Sequence, residues 1–112
     1  MRVWIFILGL VFVVSGWAAE QLPEIVSFNR DIRPILSNNC FLCHGPDEGR
    51  RKAKLRLDVE AIAKKEVIVA GKLLESELWT RITSTDAEER MPPLKSKKEL
   101  TPHQIELIKK WI

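Results

Sequence analysis

The sequence predicts an all-α fold built of short helices joined by long loops. Three observations carry this expectation. Apolar residues recur at helical spacing near Phe28–Leu36, Leu74–Ile82 and Ile105–Ile112. A capping box, Thr101 with Gln104, opens the last of these stretches. No segment alternates with the two-residue period of a half-buried strand, and the one β-like run, Val67-Ile68-Val69, is too short to build a sheet.

The chain has 112 residues, room for one domain. It begins as a secretory signal would. Arg2 supplies a positive start, residues 3–14 are apolar, and Ser15, Gly16, Ala18 and Ala19 are small enough for a signal peptidase. The apolar run falls short of the roughly 18–20 residues a spanning helix needs, so cleavage near residue 19 is expected rather than a stable anchor. No cysteine stands at the cleavage point, which argues against lipidation. The mature chain is then extracytoplasmic, periplasmic or otherwise secreted. Beyond residue 19 the charges are mixed, 17 basic against 15 acidic, which gives no reason to expect nucleic acid as a partner.

Residues 20–26 read as a short tether, and the domain as 27–112. Phe28, Ile32, Ile35 and Leu36 share one helical face. Asp31 as N-cap would place Pro34 in the first turn, where a missing N–H costs little. A start nearer Phe28 should instead distort the helix at Pro34. Asn38-Asn39 loosens its end. Residues 45–57 form a loop containing Gly45, Pro46, Asp47 and Gly49, with a basic run from Arg50 to Arg56. Asp58 is the expected cap of a helix over 59–65. Gly71 breaks the chain. Leu74, Leu78 and Ile82 predict a helix over 74–84 with Ser76 as its cap. Residues 85–100 are irregular and contain Met91-Pro92-Pro93. Pro102 suits the first position of the last helix, where Ile105, Ile108 and Ile112 share a face. That pattern is still apolar at Trp111-Ile112, so the chain is expected to be a fragment of a longer protein, truncated at this helix.

Long loops around short helices need something other than side chains at the centre. The stretch Cys40-Phe41-Leu42-Cys43-His44 supplies a candidate, and it holds both cysteines of the chain. Cys-x-x-Cys-His is the attachment pattern of c-type haem. Two thiols at this spacing can add to the two vinyl groups on one haem edge, forming thioethers. The following imidazole then reaches the iron, so Cys40 and Cys43 are the expected attachment sites and His44 the proximal ligand. Three other readings compete. A thiol-redox pair needs the motif to open a helix in a βαβ unit, whereas a helix precedes it here. A zinc site would need Cys40, Cys43, His44 and His103, and neighbouring Cys43 and His44 chelate one tetrahedral ion poorly. A disulfide across two residues closes too small a loop to stabilise much.

Met91 lies 47 residues after His44, between two expected helices. The prolines after it hold it on a stiff, non-helical segment. Its thioether is the expected distal ligand, against the alternative of a core filler. His103 is the rival ligand, expected to be a solvated surface group. Arg56 is a candidate partner for a haem propionate. The run from Arg50 to Arg56 can also dock an acidic partner. Trp79 and Trp111 are expected in the core or against the haem.

The segments FNRDIRPILSNNCFLCHGPD, KLRLD, SELWTRITS, ERMPP and LTPHQIELIKKWI together resemble the planctomycete-type cytochrome c domain over about residues 27–112. The resemblance implies a class I cytochrome c-like fold around one covalent haem, with Cys40, Cys43, His44 and Met91 at the haem positions. It also implies further domains downstream. Leu73 departs from the proline common at that point in the family. The resulting expectation is a one-electron carrier, not an enzyme, serving redox partner proteins or fused domains. The alternatives are a haem-based sensor or catalytic module with a labile sixth ligand, and a thiol-redox or structural domain without haem.

Overall fold

The computed structural model describes Val11 and residues 20–112; the expected signal segment otherwise lies outside the described residues. Those residues form an all-α fold, with no strand among them. The helices are α1 (Arg33–Asn39), α2 (Phe41–His44), α3 (Glu60–Val67), α4 (Glu77–Thr83) and α5 (Pro102–Trp111). Short 3₁₀ turns cover Leu73–Glu75 and Leu94–Ser96.

The first helical stretch starts earlier than an Asp31 cap would allow. A wide π-type turn over Phe28–Ile32 precedes α1, and Arg33 N–H donates to the Phe28 carbonyl. Pro34 is the physical reason: it cannot donate into an α-helical ladder, and the widened turn brings it into the first turn of α1. Asp31 does not cap from outside. Its carboxylate accepts from Ser27 N–H at 2.8 Å and from the Arg30 guanidinium.

Two other expected caps are employed elsewhere. Asp58 does not cap α3, which starts at Glu60 after an uncapped Val59. Its carboxylate is taken by Arg56, at 2.6 and 3.2 Å. Ser76 does not cap α4 through its side chain. It is fully buried, and its hydroxyl accepts from Val69 N–H and donates towards the carbonyls of Lys72 and Val69. The helix expected over 74–84 is accordingly shorter. Leu74 falls on the 3₁₀ turn and is 89% exposed, whereas Leu78 and Ile82 are buried. Gly71 has φ +71°, the left-handed conformation that glycine adopts without cost.

The core is formed by Phe28, Ile32, Ile35 and Leu36 from the first helical stretch, Ala63 of α3, Leu78 and Ile82 of α4, and Leu107 and Ile108 of α5, with Leu57 and Leu100 from the loops. Helix α5 packs against the start of the first stretch and against α4. Trp111 lies 5.5 Å from Phe28, ring centre to ring centre, which places it in the core; Trp79 packs at the core's edge. The capping box of α5 forms as expected: Gln104 N–H donates to Thr101 Oγ1 at 3.1 Å, and Thr101 N–H to Gln104 Oε1 at 2.9 Å. Residues 20–26 run beside α5, where Lys110 donates to the Pro23 carbonyl and His103 Nδ1 lies 3.6 Å from Glu20.

Thr101→Ala removes half of that box and is expected to cost about 1 kcal/mol in denaturant unfolding. A second prediction concerns acid. Hydrogen bonds from Arg56 hold the Asp58 carboxyl below its usual value. The stability this adds is therefore present above about pH 4 and is lost as pH falls through the lowered folded value. Asp58→Asn should flatten the acid limb of a stability–pH curve; a limb as steep as the wild type's would refute this.

Candidate haem-binding site

The motif forms its own turn of helix. Cys40 ends α1, its N–H donating to the Leu36 carbonyl at 2.7 Å. Its carbonyl then accepts from Cys43 N–H (3.2 Å) and His44 N–H (2.8 Å), which closes α2. The chain leaves this turn so tightly that a Cβ on Gly45 would overlap the Phe41 carbonyl oxygen. No L side chain fits there.

A helix of one turn leaves its last carbonyls without partners. The following loop supplies them. Lys52 N–H donates to the Cys43 carbonyl at 2.7 Å, and Leu57 N–H to that of His44 at 2.8 Å. The Lys52 carbonyl faces back to His44 Nδ1 at 3.2 Å. A carbonyl only accepts, so Nδ1 carries the proton and Nε2 keeps its lone pair. Burial pulls the imidazole pKa down, against the pull of that bond, which further favours the neutral ring. The strap depends on a tight turn at 52–55, where Leu55 N–H donates to the Lys52 carbonyl. Its central residues, Ala53 and Lys54, sit at φ 53° and 55°, as a mirror-image turn requires. Neither is glycine, so the turn stores strain beside the site.

Cys40, His44 and Met91 line one cavity of about 310 Å³, within the range of ligand pockets. Its walls include Leu55 and Leu57 from the strap, Val67 from α3, and Leu78 and Ile82 from α4. Cys43 is half-buried on the same turn but is not among the lining residues. Met91 is carried by the segment after α4, its N–H donating to the Arg81 carbonyl at 3.0 Å.

The other candidates lie elsewhere. Arg56 is bound to Asp58 and does not line the cavity. His103 is half-buried beside Glu20, along a different groove from the Cys pair, rather than fully solvated. The basic side chain at the cavity is Arg81, which sequence reasoning missed. A signal was present: Leu78, Arg81 and Ile82 stand at i, i+3 and i+4 on one helical face.

The two thiols are not joined. Burial pushes the Cys40 thiol up to about 12, outweighing the nearby Lys98 charge. A thiol held this high is a poor attacking nucleophile, so Cys40 is not the reactive member of a thiol-redox pair. Among the described residues no cluster of three or more His, Cys, Asp or Glu side chains is arranged to hold a metal ion, so the zinc set does not assemble. The donors that do converge are a thiol, an imidazole with Nε2 available and a thioether, within mostly apolar walls that also carry Glu66, Glu77 and Arg81. That set fits a c-type haem.

Residues 40–95, half of the chain, match the family model described as Planctomycete cytochrome C. The chain belongs to this planctomycete cytochrome C family. The match is narrower than the 27–112 resemblance and runs from the first cysteine to just past Met91-Pro92-Pro93. No curated protein and no solved structure matches the chain. Membership makes this a cytochrome c-type domain, with haem binding and electron carriage as the family's general properties. No helix among the described residues is long and apolar enough to cross a membrane.

Gly45→Ala tests the tight exit from α2. The added Cβ must displace the Phe41 carbonyl, so a stability loss of about 2–3 kcal/mol is expected. The fraction of exported chain that stains for haem should fall with it. Wild-type staining and stability would show that the turn opens without cost.

Proposed function

We propose that this domain is a monohaem one-electron carrier working outside the cytoplasm, with Cys40 and Cys43 as thioether attachment points and His44 and Met91 as the two axial ligands. The observation that carries the reading is the convergence of Cys40, His44 and Met91 on one mostly apolar cavity, although Met91 lies 47 residues from His44. Bound haem supplies a one-electron couple. The chain's own residues do the rest. The Lys52 carbonyl fixes the tautomer and orientation of His44, leaving Nε2 for the iron. Met91 offers a soft, neutral donor, which favours a higher potential than a second histidine would. Leu55, Leu57, Leu78 and Ile82 keep water from the ring.

If His44 and Met91 both held the iron, coordination would be the same in both redox states. Reorganisation would then be small, which would suit electron exchange rather than substrate binding. Exposed Arg50, Lys52 and Lys54 on the 45–57 loop offer positive charge to an acidic redox partner protein, although Arg50 also pairs with Asp47 and the cavity itself carries Glu66 and Glu77. The apolar run at residues 3–14 supports export.

The test is Met91→Ala, produced with the haem-maturation machinery. Covalent haem should persist on denaturing gels, the weak ferric band of Met–iron ligation should vanish, and the midpoint potential should fall. An unchanged spectrum and potential would remove Met91 as ligand. Failure of the wild type to exchange electrons with a small redox protein would remove the carrier role.

A further inference from the structure

We infer that Arg81 is the positioning residue for Met91, clamping the segment that presents the thioether to the iron. The inference rests on the His44/Met91 reading above. Residues 84–90 form a preorganised unit. Ser84 Oγ accepts from Asp86 N–H, the Asp86 carboxylate from Glu88 N–H, and the Asp86 carbonyl from Glu89 and Arg90 N–H. How this unit is fastened to α4 is therefore the upstream determinant of the position of Met91, beside the ties of Arg90 to Glu99 and of Lys98 to the Asn38 carbonyl.

Arg81 fastens it twice. Its carbonyl accepts from Met91 N–H at 3.0 Å, and its guanidinium Nη1 donates to the Glu89 carbonyl at 3.3 Å. The two bonds grip the chain on either side of Arg90. The guanidinium is itself oriented from one turn earlier, where Nε donates to Glu77 Oε1 at 2.8 Å. Both side chains also line the cavity that Met91 faces. The Arg81–Glu77 pair is substantially exposed, and such pairs add little to global stability. Its effect is local: a looser segment lowers the effective concentration of the thioether at the iron, and an external ligand then competes more easily.

The experiment titrates imidazole into the ferric, covalently haem-loaded protein and follows the Met–iron band. Arg81→Gln removes the guanidinium and keeps the backbone bond. It should raise apparent imidazole affinity about tenfold, equivalent to about 1.4 kcal/mol. Glu77→Gln, which leaves the guanidinium but releases its orientation, should shift affinity in the same direction by less. In a Met91→Ala background no thioether remains to displace, so Arg81→Gln should leave imidazole affinity unchanged. An equal shift in both backgrounds would mean that Arg81 only shapes the cavity, and would overturn the inference. So would unchanged affinity in the Met91 protein. If Arg81→Gln does not retain haem, Glu77→Gln decides, and its silence overturns the clamp. A wild type without the Met–iron band refutes the ligand reading and the clamp with it. A wild type with the band and silent variants refutes the clamp alone.

Discussion

A helix of a single turn has almost no partners for its own carbonyls, and α2 is such a helix. The carbonyls of Cys43 and His44 are satisfied by Lys52 N–H and Leu57 N–H. That debt to the backbone fixes the course of the whole 45–57 loop. To meet both carbonyls the chain must leave α2 through Gly45, where no Cβ fits, and return through a turn with two non-glycine residues at positive φ. The same return carries the Lys52 carbonyl to His44 and brings Leu55 and Leu57 to the cavity wall. Imidazole orientation, cavity lining and loop path are thus consequences of one short helix being closed off by its successor.

The packing shows the complementary constraint. Ile32, Leu36 and Ile108 are fully buried, but the apolar side chains of α4 are shared between two tasks. Leu78 and Ile82 belong to the core and also form the cavity wall. A chain this small has few apolar groups to spare, and a cavity bordered by its core is costly unless a group of matching chemistry fills it. Family membership identifies that group as haem. On the proposed reading the covalent attachment at Cys40 and Cys43 serves folding as well as redox chemistry, because the filler cannot dissociate.

Much of this was legible in the sequence because it depends on local rules. The α5 capping box needs only Thr101, Gln104 and their spacing, and it forms as read. The Cys40–His44 motif is likewise local. What the sequence hid was competition for polar groups. Asp31, Asp58 and Ser76 each have the chemistry of a cap, but each has a nearer or better-placed partner: the Ser27 amide, the Arg56 guanidinium and the 69–72 backbone. Spacing alone cannot rank those options. Arg81 was missed for a related reason. Its place at the cavity depends on how α4 is rotated, and Leu74, which blurred the phase of that helix, turns out to be exposed.

The two proposed ligands are supported in different ways, and the difference has consequences. His44 is held by its own turn through Cys40 and by the 45–57 loop, where Leu57 N–H donates to its carbonyl and the Lys52 carbonyl faces Nδ1. Met91 stands on an irregular segment tied upstream to α4 through Arg81, and downstream to the end of α1 by Lys98, which donates to the Asn38 carbonyl. The side chains in those ties are the partly exposed Arg81 and the exposed Lys98, with one backbone bond, Met91 N–H to the Arg81 carbonyl, beside them. Local opening follows the weakest tertiary anchors, so the Met91 segment opens at lower free energy than the His44 turn. On the proposed reading, any exchange of an axial ligand would accordingly begin on the methionine side, with His44 and the thioether links at Cys40 and Cys43 left to hold the haem.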